Sequence, residues 1–221
     1  MLEDRAFSQR CFRRKSGLAL VFATALVGCA PEKVNLQSEA DPAGSSYART
    51  LERWTRTGRI LSKTEFHAEL LVSGTLRSRA FQRAFVEKYV KTYAVVDPWE
   101  RSRIEKEQAE QTQGGVSLFL LTRTHTANWN ELRPSFGKWR LSLLDDAGRE
   151  VQADKVEPFA QKQAVEMALL DQQNDPFAKL WSVHFPEKAS DGQLFPKPTT
   201  ETLRLRVAGP LGLAELVWFF Q

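Results

Sequence analysis

The sequence predicts an α+β domain in which a helical layer precedes an antiparallel β-sandwich. Three observations carry that prediction. Apolar residues recur at helical spacing between residues 47 and 95, the period changes to alternation after Gly114-Gly115, and the chain closes on a hairpin pattern in which Leu203 to Val207 face Leu213 to Phe220. Residues 47–113 are therefore expected to be mainly helical and residues 116–221 mainly β, within one domain of a size that buries a real core.

Taken in order, Ser46 can cap a helix in which Tyr47, Leu51, Trp54 and Leu61 share a face, with Gly58 weakening its second half. Phe66 to Leu76 is more apolar and suits either a strand or the end of a long helix. Ser78 caps the next helix, where Phe81, Phe85, Tyr89, Val90 and Tyr93 make an aromatic stripe. Asp97-Pro98 should end that helix, because the residue before a proline avoids the helical region. Glu100 to Gln113 is helix-prone but almost without an apolar face, which predicts an exposed excursion.

Val116 to Thr126 has the β-branched and aromatic content of a strand. Trp139, Leu141 and Leu143 alternate with Arg140 and Ser142, and Asp145-Asp146-Ala147-Gly148 turns the chain into a short strand around Val151. Gln161 to Gln173 suits a helix, after which Trp181, Val183 and Phe185 alternate again. Five or six such strands give the sandwich a broadly immunoglobulin-like character, with Trp139 or Trp181 as its buried tryptophan but without the cysteine pair of that architecture. The terminal Trp218-Phe219-Phe220 is apolar on both faces, so a central or helix-covered strand is expected there.

Ahead of this domain, Arg13, Arg14 and Lys15 precede an apolar run from Gly17 to Gly28, too short to cross a bilayer as a finished helix. The run ends in Leu26-Val27-Gly28-Cys29, which resembles the lipobox of bacterial lipoproteins. The resemblance implies cleavage after Gly28, a diacylglyceryl group on the sulfur of Cys29 and an acyl chain such as palmitate on its new amino group. It implies a signal peptide over residues 1–28 and membrane attachment through the lipid on Cys29. Ala30, in place of an aspartate, favours the outer membrane over the inner one. Residues 30–46 are polar and rich in Pro, Gly and Ser, so residues 29–46 are expected to be the lipidated cysteine and a flexible tether. A free linker of that length has an end-to-end distance of about 20–25 Å.

Processing changes two other readings. Five cations against Glu3 and Asp4 give residues 1–28 a charge of +3, so of the +4 on the whole chain only about +1 remains, and no nucleic-acid partner is expected. The two cysteines are Cys11, removed with the signal, and Cys29, blocked by lipid, so disulfides, thiolate catalysis and Cys-ligated metals are excluded for the mature chain.

Candidate chemistry is sparse. His67 with Glu65 and Glu69, or His125 with His184 across strands, are the only conceivable metal clusters, and a solvated face explains the first set as well. Ser117, Ser135 and Ser182 lack the G-x-S-x-G turn of a hydrolase nucleophile, and no phosphate-binding glycine loop occurs. No catalytic residue, metal or cofactor is therefore assigned. Arg77, Arg79 and Arg83, with Lys88 and Lys91, could form a basic face for lipid phosphate or merely a solvated helix surface. The loop from His125 to Pro134 is the favoured contact, because Asn128, Trp129, Asn130 and Arg133 set an apolar ring beside amide and guanidinium donors. The alternative is that Trp129 folds back while the asparagines make turn hydrogen bonds. The expected protein is an envelope lipoprotein that binds or scaffolds an envelope protein or glycan, with a small hydrolase of glycan or ester substrates as the rival.

Overall fold

The computed structural model describes residues 33–35, 45–62, 68–159, 169–170 and 177–220. The lipobox, His67, Glu65 and most of the helix expected over residues 161–173 lie outside them. Within the described residues the fold is α+β, with three helices and two mostly antiparallel sheets of five strands each.

The first helix, α1 (Tyr47–Trp54), begins where Ser46 accepts a hydrogen bond from the Arg49 amide at 3.3 Å. It does not continue to Leu61 as its periodicity suggested. Thr55 is already extended, and Thr55–Leu61 is strand β2, paired antiparallel with β3 (Ala68–Leu76). This corrects the expectation of a helical layer over 47–113. Thr55, Thr57 and Ile60 are β-branched, and at Gly58 an added Cβ would stand 3.1 Å from Leu216 and 3.2 Å from the Glu215 carbonyl. Glycine at this position lets a neighbouring strand approach closely, which explains its presence better than a weak helix does.

Two further helices follow as expected. In α2 (Arg79–Thr92) Ser78 caps the Phe81 amide, and in α3 (Pro98–Glu110) Asp97 caps the Trp99 amide with Pro98 in the first turn. The polar α3 buries only Ile104 and Gln108, and Arg101–Glu105 and Arg103–Glu107 pairs line its exposed face.

The remaining strands are β4 (Gly115–Arg123), β5 (Arg140–Asp145), β6 (Glu150–Gln152), β7 (Lys155–Pro158), β8 (Ala178–Pro186), β9 (Thr202–Gly209) and β10 (Gly212–Phe220). With β1 (Lys33–Val34) they form one sheet in the order β1-β10-β9-β5-β6 and a second in the order β2-β3-β4-β8-β7. The expected turn at Asp145–Gly148 closes the β5–β6 hairpin, where Asp145 accepts hydrogen bonds from the Arg149 backbone and guanidinium, both at 2.8 Å. The expected terminal hairpin pairs Gly209 with Gly212 across Pro210 and Leu211.

The buried residues of both sheets belong to one contiguous core. Strand β4 is buried on both faces. On one, Leu120 stands with Leu216 and Trp218 of β10 over Gly74, where a Cβ would come within 2.9 Å of Leu216. On the other, Phe81 and Phe85 of α2 pack on Phe119 with ring centroids 6.3 and 6.0 Å apart. The aromatic stripe of α2 therefore turns inward at Phe81 and Phe85 and covers the second sheet.

The terminal strand meets the expectation only in part: it lies second in its sheet, between β9 and the short β1, and α1 reaches it where the Trp218 indole donates to the Trp54 carbonyl at 2.9 Å. Beyond β9, β10 has only the two residues of β1 at its end, and its remaining edge lies against β2, where Arg56 donates to the Val217 carbonyl at 3.1 Å. Those contacts cover the edge without a full strand partner. β1 itself falls inside the stretch read as a flexible tether, yet Lys33 pairs with Phe219, Val34 pairs with Phe220, and Val34 is only 2% exposed. That part of residues 29–46 belongs to the folded body.

Candidate functional site

The loop joining β4 to β5 holds the residues that the sequence singled out. Two single-turn 3-10 helices, Ala127–Trp129 and Pro134–Phe136, shape it. Asn130 points inward and is 8% exposed. Its amide donates to the Phe177 carbonyl at 2.9 Å, and its side-chain oxygen accepts from Thr122 at 2.5 Å. Thr122 in turn accepts from the Trp181 indole at 2.9 Å, so three buried polar groups satisfy one another between strands β4 and β8.

The rest of the loop is closed on itself in a similar way. Arg133 forks onto both oxygens of Glu131 at 2.7 and 2.8 Å, and the Lys179 ammonium stands 3.4 Å from the same carboxylate. Those hydrogen bonds, led by the Arg133 side chain, hold the Glu131 carboxyl at a pKa of about 2. The ring of Phe136 lies 4.7 Å below the Arg133 guanidinium, and Lys138 stands 5.7 Å over Trp129 while donating to the Asn128 carbonyl. Trp129 is half-buried against the core, and its carbonyl accepts from the Trp139 indole at 2.9 Å. Of the four residues, the structure leaves Asn128 exposed, Trp129 and Arg133 half-buried at the rim, and Asn130 sealed. It brings them into one loop but turns most of their donors inward.

A second surface was not singled out from the sequence. The turn between α2 and α3 projects Tyr93, Val96 and Trp99, with Val96 92% and Trp99 72% exposed. The turn is closely built. Ala94 ends α2 at φ +48°, a left-handed conformation that costs a residue with a Cβ about 1–2 kcal/mol. Val95 donates back to the Val90 carbonyl at 3.0 Å, Tyr89 and Tyr93 stack at 4.9 Å, and Asp97 caps the next helix. Rings on a fixed turn lose little freedom when a partner covers them. The legible signal was a tryptophan opening a helix that has no apolar face to receive it.

The basic face does not assemble as one patch. Arg77 is buried, bonded to Gln108 at 2.7 Å and stacked 4.5 Å from Phe119. Arg79 and Arg83 line a cleft of about 440 Å³ beside Arg101 and Glu105, whereas Lys88 stands at a different cavity of about 710 Å³ between α1 and the second sheet.

One arrangement bears on hydrolysis. His184 Nδ1 lies 2.7 Å from Asp154 Oδ1, and His184 is the cross-strand partner of Ser117. The Ser117 hydroxyl, however, donates to the Gln111 carbonyl at 2.9 Å, and His184 Nε2 is buried without a hydrogen-bond partner among the described residues. The cavity of about 850 Å³ that Ser117 borders is not lined by His184. His125 is exposed on the loop, 6.4 Å from the Phe177 ring. Among the described residues no three His, Cys, Asp or Glu side chains converge as metal ligands, and no helix is long and apolar enough to cross a membrane. Comparison of the chain with known families, with curated proteins and with solved structures finds no match.

Proposed function

We propose that this chain is a bacterial envelope lipoprotein, anchored through lipid on Cys29 and probing its surroundings for an envelope protein or glycan with its folded domain. The observation that carries the reading is the order of basic cluster, short apolar run and Leu26-Val27-Gly28-Cys29. Ala30 supports the outer membrane as its address. Several acyl tails, each buried methylene contributing about 0.8 kcal/mol, would make attachment effectively permanent. The two sheets are read as the faces of a β-sandwich, and the buried Trp139 and Trp181 support its immunoglobulin-like character.

The contact surface we assign is the α2–α3 turn, because Tyr93, Val96 and Trp99 are exposed while the polar groups of the β4–β5 loop are largely satisfied internally. Asn128 and the rims of Trp129 and Arg133 make a secondary contact. Palmitate labelling tests the anchor. Wild-type protein should incorporate the label and sediment with membranes, and Cys29→Ser should do neither. Label on the serine variant, or a soluble wild type, would refute it.

The His184–Asp154 pair beside Ser117 favours a second reading, an envelope hydrolase. Fluorophosphonate labelling of Ser117, abolished by His184→Ala, would establish that alternative. An unlabelled protein leaves the binding role.

A further inference from the structure

The face of the second sheet that carries Phe119 changes character from one edge to the other. Side chains two residues apart share a face, and the strand register sets Thr75 beside Phe119 with Thr55 beyond it, and Ser73 beside Leu121 with Leu180 on its other flank. Hydroxyls therefore gather on β2 and β3, and apolar groups on β4 and β8. Between this face and α1 lies the cavity of about 710 Å³, within the range of about 300–1,000 Å³ usual for small-molecule sites. Buried Phe119 and Leu180 form its base, and half-buried Leu121 and Leu51 of α1 line its walls. At the other side the Thr55 and Thr75 hydroxyls share one hydrogen bond at 2.9 Å, which leaves a hydroxyl proton and several lone pairs to spare. Glu52 and Lys88 stand exposed at the rim, and among the described residues neither has an ion-pair partner.

We propose that this cavity binds a single acyl chain carrying a zwitterionic head of phosphate and ammonium, the chemistry of a lysophospholipid. The chain covers Leu51 and Leu121 above the Phe119 base, and the head stays at the mouth, its phosphate towards Lys88 and its ammonium towards Glu52. Other ligand classes fit less well. A glycan would leave the leucines against polar atoms, and a plain fatty acid would bring its carboxylate to a rim that also holds Glu52. The inference goes beyond the contact assigned to the α2–α3 turn and does not depend on the anchor.

Displacement of a fluorescent acyl probe, dansylated undecanoic acid, tests it in the full-length chain carrying Cys29→Ser, which has no acyl groups of its own to compete. Ala48 is exposed on α1 and lines the cavity, so Ala48→Trp should abolish probe binding while thermal melting stays at the parent value. Lysophosphatidylethanolamine should displace the probe, and Lys88→Gln and Glu52→Gln should each weaken that displacement by about threefold, the scale of an exposed ion pair. Lysophosphatidylglycerol has the phosphate without the ammonium, so Lys88→Gln should weaken it and Glu52→Gln should not. Probe binding that survives Ala48→Trp, or a probe that neither lipid displaces, would overturn the cavity as the site. Glu52→Gln acting equally on both lipids, or on neither, would overturn the zwitterionic head. Because this chain lacks the anchoring cysteine, either result stands apart from whether Cys29 is acylated in cells.

Discussion

The β4–β5 loop and the α2–α3 turn both display aromatic rings among charges, but they resolve those groups in opposite ways. In the loop, Asn130, Glu131, Arg133, Lys138 and Trp129 engage one another or the neighbouring backbone. In the turn, Asp97 caps the following helix, the Tyr89 and Tyr93 rings meet at 4.9 Å, and Val96 and Trp99 stand largely in solvent. The difference teaches that a rich mixture of donors and rings can be a device for folding. Function is better sought where a closely built backbone holds out side chains that the fold does not use.

The comparison can be broken most forcefully at Asn130. Asn130→Ala removes the buried hydrogen bonds to Thr122 and to the Phe177 carbonyl, so urea unfolding should show a loss of about 2 kcal/mol. A neutral result would mean that the loop is not structural and would return it to candidacy as a contact.

Glu131 gives the loop a pH signature. Its folded pKa is lowered from 4.5 to about 2, chiefly by the Arg133 hydrogen bond, so the folded state favours the charged carboxylate. The stabilisation is complete above about pH 4.5 and is lost as pH falls towards 2. Glu131→Gln should therefore melt below wild type at pH 7, and the gap between them should close between those two values. A gap that is constant across that range would contradict the ion-pair account.

At the turn the expected effects on stability are smaller and of the other sign. Ala94→Gly removes the Cβ from a residue at φ +48° and should raise stability by about 0.5–1 kcal/mol, after allowing for the greater freedom of glycine in the unfolded chain. Trp99→Ala should change stability by no more than about 0.5 kcal/mol, because the ring is largely in solvent, while abolishing partner capture. A large destabilisation would show that Trp99 packs within the domain after all.

Much of this was legible in the residues. Alternation at Trp181, Val183 and Phe185, the terminal hairpin at Gly209–Gly212, the caps Ser46 and Ser78 and the stop at Asp97-Pro98 each carry a local rule that survives folding. β2 was hidden because Leu51, Trp54 and Leu61 fall at helical spacing, while the feature that decides against a helix, the passage of β10 over Gly58, comes from a strand more than 150 residues away. β1 was hidden because two residues are too few for a period, and its stability comes from Val34 meeting Phe220. The loop residues were visible as a group, but not that Thr122 and Trp181, on different strands, would engage Asn130. The exposure of Trp99 was hidden because its helix is polar throughout and only the α2–α3 turn holds the ring out.

The most direct test of an anchored domain that meets its partner through the α2–α3 turn is site-specific photocrosslinking in living cells. A photoreactive residue is placed in turn at Trp99 and at Asn128, each in the acylated full-length protein. The account predicts a discrete adduct from position 99, lost when Cys29→Ser releases the protein from the membrane, and a weaker one from position 128. An adduct from position 128 with none from position 99 would contradict it and place the contact in the β4–β5 loop.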